Sequence, residues 1–186
     1  MNSPMNDSQN LKYPIGDFTY GQSFSAGETE QHIKAINQMP FKLTELVGKW
    51  GDDRLDTPYR PEGWTIRQLV HHIADSHINA YVRTKLALTE TNPTITPYEE
   101  GEWAKLPDST LDIAPSLVIL RNLHHRWVTV LESLTDTDLN RTYFHPGSQR
   151  TFGLREVIAM YAWHGEHHYQ HAYRLAERNG WLEKNV

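Results

Sequence analysis

Cysteine is absent from all 186 residues of the chain. That absence removes disulfides, protein thiol nucleophiles and zinc fingers, and leaves nitrogen and oxygen as the only donors for a bound metal. Long apolar runs are also missing: none approaches the roughly 18 to 20 residues that cross a bilayer. The opening MNSPMNDSQN does not have the basic-then-apolar order of a secretory leader. The cytoplasm is therefore the expected compartment, with no membrane partner. Basic clusters are lacking too. The 18 Lys and Arg stand against 23 Asp and Glu, a formal charge of -5, whereas a phosphate backbone is bound by grouped cations. Nucleic acid is not an expected partner. Internal repeats and low-complexity segments are missing as well.

What the chain has in excess is histidine, 11 residues, together with 6 tryptophans. The length suits one domain with its own core, expected over 11–186 behind a polar, disordered 1–10. Leu11 to Phe18 carries Tyr-Pro and Gly-Asp turn signals and reads as an extended arm. Ile33, Ile36, Pro40, Leu43, Val47 and Trp50 recur at threes and fours, predicting a first helix from near Glu28 to Trp50, kinked at Pro40. Thr65-Ile66-Arg67-Gln68 is a capping box that opens a second helix from Ile66 to about Leu88. Thr91 to Asp108 holds three prolines and a glycine, so a long loop is expected, with one helical turn around Glu99 to Trp103.

Pro115 suits the start of a third helix whose inward stripe is Leu117, Leu120, His124, Trp127, Leu131 and Leu134. Arg141 to Gly153 reads as a small hairpin or ordered loop around Pro-Gly-Ser. Leu154, Val157, Ile158, Tyr161, His168, Ala172 and Leu175 trace a fourth helix that stops at Asn179-Gly180. The fold class is all-α: a four-helix bundle with a long proline-rich loop between helices two and three.

The histidines cluster on helices two and four. At about 100° per residue, His168 lies near the middle of the apolar stripe and His164 roughly 60° from it; His171 is farther round and His167 roughly 120° away. His164 and His168 are thus the inward pair, spaced for one ion. A third ligand has to come from another helix, and helix two offers His72 at the stripe's edge and His77 within it, with His71 pointing away. Periodicity does not choose between His72 and His77. A single histidine on such a stripe is more often a hydrogen-bonded core residue than a ligand, and it is the convergence of several that favours metal. Glu166 follows His164 by two residues and projects elsewhere, so this is not the H-E-x-x-H arrangement. Asp75 is the nearest acid that could orient a histidine, and His124 and His125 are expected to pack or to face solvent.

Asp56-Thr57-Pro58-Tyr59-Arg60, the run Gly63-Trp64-Thr65-Ile66-Arg67-Gln68-Leu69-Val70-His71-His72-Ile73-Ala74-Asp75-Ser76-His77, and Tyr161-Ala162-Trp163-His164 with His168 carry a resemblance. With Tyr13-Pro14-Ile15-Gly16 and Phe144-His145-Pro146, the chain resembles the YfiT branch of the DinB-like superfamily over nearly its whole length. The resemblance implies a four-helix bundle, a homodimer, and one zinc or nickel ion per subunit held by His72, His164 and His168. It also implies a metal-dependent hydrolase acting on a small molecule. Similar proteins elsewhere in the superfamily transfer low-molecular-weight thiols such as bacillithiol, mycothiol or glutathione, so a thiol S-transferase is the alternative, and a noncatalytic metal-binding module the second. Three neutral imidazoles leave a divalent ion its full charge and a free position, which suits activation of water or of a substrate thiol.

Overall fold

The structure, a computed structural model, describes residues 11–182; the disorder expected for residues 1–10 lies outside them. Four long helices dominate: α1 (Ala26–Val47), α3 (Ile66–Thr89), α5 (Ala114–Glu132) and α7 (Leu154–Arg178). Between them lie single turns α2 (Asp52–Leu55), α4 (Glu100–Trp103) and α6 (Asp136–Leu139), and the antiparallel hairpin of β1 (Thr142–His145) and β2 (Arg150–Gly153). No helix among the described residues is long and apolar enough to cross a membrane.

Local chemistry sets the ends of these helices. Ser25 and Glu28 form a capping box at the start of α1, and Thr65 and Gln68 form the expected one at α3, each satisfying amide hydrogens that have no intrahelical partner. Helix α7 ends in a Schellman turn: Gly180 has a φ of 66°, and the Trp181 amide donates to the Ala176 carbonyl at 2.8 Å. A glycine at that position avoids the strain a side chain would meet.

Packing runs α1–α7, α1–α5, α3–α5 and α3–α7, so the consecutive long helices α1 and α3 sit on one diagonal and α5 and α7 on the other. Two apolar clusters fill the interior. One includes Ile36, Ala80, Trp127 and Ile158, and the other Leu43, Leu69, Leu120 and Leu175. The order in which each helix meets the clusters makes α1 and α7 run one way and α3 and α5 the other. Because α3 and α5 are parallel neighbours, their connection must return along the bundle, which accounts for the long proline-rich segment. That segment carries the expected turn as α4, and it is tied to β1 where the Ile95 amide donates to the Phe144 carbonyl at 3.0 Å.

Between the clusters lies a layer of histidine. On α3 it falls at His72 and His77, on α5 at His124, and on α7 at His164 to His171, each flanked by one apolar cluster on either side. A polar layer inside an apolar bundle costs free energy unless its nitrogens find partners. Where those partners are defines the site.

Candidate metal centre

His164 and His168 project from one face of α7 four residues apart, and His72 meets them from α3. The ring centres of His72 lie 5.5 Å from His164 and 4.9 Å from His168, while His164 and His168 are 4.5 Å apart. One ring nitrogen from each lies within 4.8 Å of the other two. The structure therefore brings together the three residues the sequence resemblance singled out, and their donor set of three imidazoles suits a borderline divalent ion.

Two further observations fit a cation there. Burial pushes the His72 imidazolium down to about 4 and holds His164 and His168 well below the usual histidine range, so the rings are neutral and carry lone pairs at pH 7. The Nδ1 of His168 is buried and has no hydrogen-bond partner among the described residues, a cost that coordination or proton donation to an outer partner would remove.

The triad borders a cavity of about 370 Å³. Its walls come from the loop before α3. The Tyr59 amide donates to the Trp64 carbonyl at 3.1 Å and the Ile66 amide to the Thr57 carbonyl at 3.2 Å, folding residues 57–66 back on themselves. Gly63 permits this turn, since a Cβ there would lie 2.7 Å from Arg60 Cγ. The loop thereby sets Trp64 against His72 at 4.6 Å and stacks Tyr59 on His171 at 4.1 Å. Two cations, Lys12 and Arg60, and two carboxylates, Glu62 and Glu100, make up the charged part of the lining.

A model of the DinB superfamily matches residues 35–172, a span that includes all three histidines. The chain belongs to the DinB superfamily. Proteins of Bacillus cereus (strain AH820) and Bacillus anthracis (strain A0248), both named "Putative metal-dependent hydrolase", are 49% identical to it over 177 residues, 95% of this chain and 100% of theirs. A solved structure, YfiT from Bacillus subtilis, is 44% identical with a TM-score of 0.90, covering 93% of this chain and 99% of that one. It is described as a "probable metal-dependent hydrolase with an unusual four-helix bundle topology". A structural match of that extent gives this DinB-superfamily chain the same four-helix-bundle fold.

The structure distributes the other candidates differently from the triad. His77 is fully buried and bonds to His124 and His164 instead of joining the group of three. Asp75 is half-buried with its carboxyl pushed up by burial and by Asp108, and it makes no hydrogen bond to the triad. Glu166 points away from the triad, as its spacing predicts, and pairs with Lys42 of α1 at 2.6 Å. Tyr98 and Trp103 pack on each other at 4.4 Å, and it is Glu100 from that segment that lines the cavity.

Two outward assignments need correcting. His167, placed about 120° off the stripe by the wheel, is 7% exposed. The arm before α1 covers that side of α7: Tyr13 lies 6.2 Å from His167, the His171 Nε2 donates to the Lys12 carbonyl at 3.2 Å, and Trp163 donates to the Gly16 carbonyl at 3.3 Å. His167, His168 and His171 consequently form a second group whose nitrogens lie within 4.8 Å of one another, sharing His168 with the triad. His71 is buried too, donating from Nε2 to the Leu111 carbonyl at 3.1 Å and facing the Ser116 hydroxyl through Nδ1 at 2.8 Å. A wheel treats the fourth helix as if only the bundle covered it, and so does not register an arm arriving from the chain's beginning.

Proposed function

We propose that this chain is a metal-dependent hydrolase of a small, anionic ester or amide, working in the cytoplasm as a homodimer with zinc or nickel held by His72, His164 and His168. The observation that supports this most is the triad itself: three neutral imidazoles from two helices, with no fourth side chain joining them among the described residues, at the edge of a cavity large enough for a small molecule. A structural site would be closed by a fourth protein ligand, whereas an open position serves chemistry. A divalent cation so held supplies Lewis acidity, polarising a carbonyl and lowering the pKa of water.

The chain's own residues divide the remaining work. Trp64 and Tyr59 wall the cavity and keep bulk water from the reacting groups. Partial desolvation, with the Glu99 carboxylate near it, pushes the Glu100 carboxyl up, and its place in the cavity lining suits it to hold or release a proton beside a bound molecule. Arg60 lines the cavity and brings to it a guanidinium, a cation suited to a substrate carboxylate or phosphate.

Arg60 and Lys12 equally favour a second reading, in which an anionic low-molecular-weight thiol such as bacillithiol attacks an electrophile in the same cavity. One screen separates the two: zinc-loaded and nickel-loaded protein with esters and amides in one arm, and with electrophiles plus thiol in the other. Hydrolysis without thiol, reduced at least a hundredfold by removing metal, is the expected result. Turnover only in the presence of thiol would replace the hydrolase reading with the transferase one, and inertness in both arms would leave a noncatalytic binding module.

A further inference from the structure

We propose that His124 and His77 form a chain of hydrogen-bonded imidazoles, starting at the backbone carbonyl of Ile36, that sets the tautomer of His164 and presents its Nε2 to the cation. The inference rests on the metal-centre reading above and adds positioning residues that take no part in coordination.

The chain of reasoning begins with a missing hydrogen. Pro40 lies inside α1 and has no amide hydrogen, so the carbonyl four residues earlier, that of Ile36, loses its usual helical donor. His124 of α5, 1% exposed, fills the gap with Nδ1 2.6 Å from that oxygen. A carbonyl oxygen only accepts, so the proton must reside on His124 Nδ1. A neutral imidazole then has only a lone pair at Nε2.

Each next step follows from the one before. His124 Nε2 lies 2.8 Å from Nδ1 of His77, so His77 donates from Nδ1 and keeps a lone pair on Nε2. His77 Nε2 lies 3.1 Å from Nδ1 of His164, so His164 donates from Nδ1. The nitrogen left for a metal on His164 is Nε2. The chain passes once through every long helix, from α1 to α5 to α3 to α7.

Its surroundings keep the order of protons fixed. His77 is fully buried against Trp127 at 6.0 Å and Tyr161 at 5.3 Å, and among the described residues no carboxylate bonds to any of the three rings. Water has little access to offer an alternative partner. Gly165 permits the approach of α7, since a Cβ there would meet Met39 Cγ at 2.9 Å and His77 Cε1 at 3.7 Å. Metal-ligating histidines usually donate their second nitrogen to a carboxylate, carbonyl or water, and loss of that partner costs about 10- to 100-fold in metal affinity. Here the terminal carbonyl acts through two intervening rings.

The test starts with the metal-free wild-type protein. Nitrogen-15 NMR of its histidine rings, assigned with single-histidine variants, should show the proton on Nδ1 in His124, His77 and His164 alike. A proton on Nε2 of any one of them overturns the proposal, whatever the protein does with metal. Zinc affinity, read by competition with a chromophoric chelator, supplies a second readout. His77→Gln can place an amide oxygen where Nε2 was and accept from His164, so it should stay within about threefold of wild type. His77→Leu fills similar space without an acceptor and should lose about 10- to 100-fold. Equal affinities for the two variants would mean that His77 only fills volume, and would overturn the positioning role. If His77→Leu does not fold, the wild-type tautomers still decide the question. Failure of wild-type protein to bind zinc would count against the metal centre and not against the proton order.

Discussion

His164→Ala should remove zinc binding, while His167→Ala should leave it nearly intact. The two residues separate the alternative groups, because His164 belongs only to the set that joins α3 to α7 and His167 only to the set drawn from α7 alone. Structural zinc sites with four ligands reach roughly 10–16 kcal/mol, or about 3 kcal/mol per ligand, so losing one should weaken affinity by a hundredfold or more. His167 stacks on Trp163 at 4.6 Å, and its removal should cost packing without touching the cation. Chelator competition on both variants measures this. Loss of zinc in His167→Ala with retention in His164→Ala would move the centre to the single-helix group.

A second large effect is expected from acid acting on the metal-free protein. His72 and His124 are held at about 4 mainly by burial, and His77, His164 and His168 are displaced in the same direction. A histidine with a lowered pKa in the folded state binds its proton first when unfolded. Its contribution is complete above about 6.5 and is lost as pH falls towards 4. At pH 5.5 His72 and His124 each cost about 1.4 kcal/mol, and together they cost about 3 kcal/mol of a total that is typically 5–15. His77, His164 and His168 add to this, as do the less deeply buried His167 and His171, which are lowered too. Carboxylates stabilised in the fold, such as Asp56 with its partner Arg67, titrate below this window. Urea unfolding at pH 7.5 and 5.5 should therefore show a marked loss in the metal-free protein and a smaller one with zinc, which binds the neutral rings. Equal stability at the two pH values in metal-free protein would mean that the histidine layer is open to water.

The parts of this architecture that were legible in the sequence are those written in local code. Apolar spacing located the long helices, Thr65 with Gln68 marked the start of α3, and Asn179-Gly180 marked the end of α7. The single turns α2 and α6 span four residues each and are too short to show a period. The choice between His72 and His77 was beyond periodicity because both face inward. What separates them is which neighbour each meets: His77 finds ring nitrogens on both sides, and His72 finds Trp64, His164 and His168. Those neighbours follow from the parallel pairing of helices, which is set by connections distant in sequence. Pro40 signals a kink in the sequence, yet its consequence for His124 depends on α5 arriving beside the freed carbonyl.

X-ray absorption spectroscopy of the tag-free protein carrying one equivalent of zinc tests the centre most directly. The expected spectrum has three imidazole nitrogens at about 2.0–2.1 Å, with the outer-shell scattering of three rings, and one exchangeable oxygen donor from solvent or buffer, with the imidazole signal reduced in His72→Ala as well as in His164→Ala. Four imidazoles around the ion would contradict an open catalytic position, and a spectrum unchanged by either substitution would contradict the assignment of the ligands.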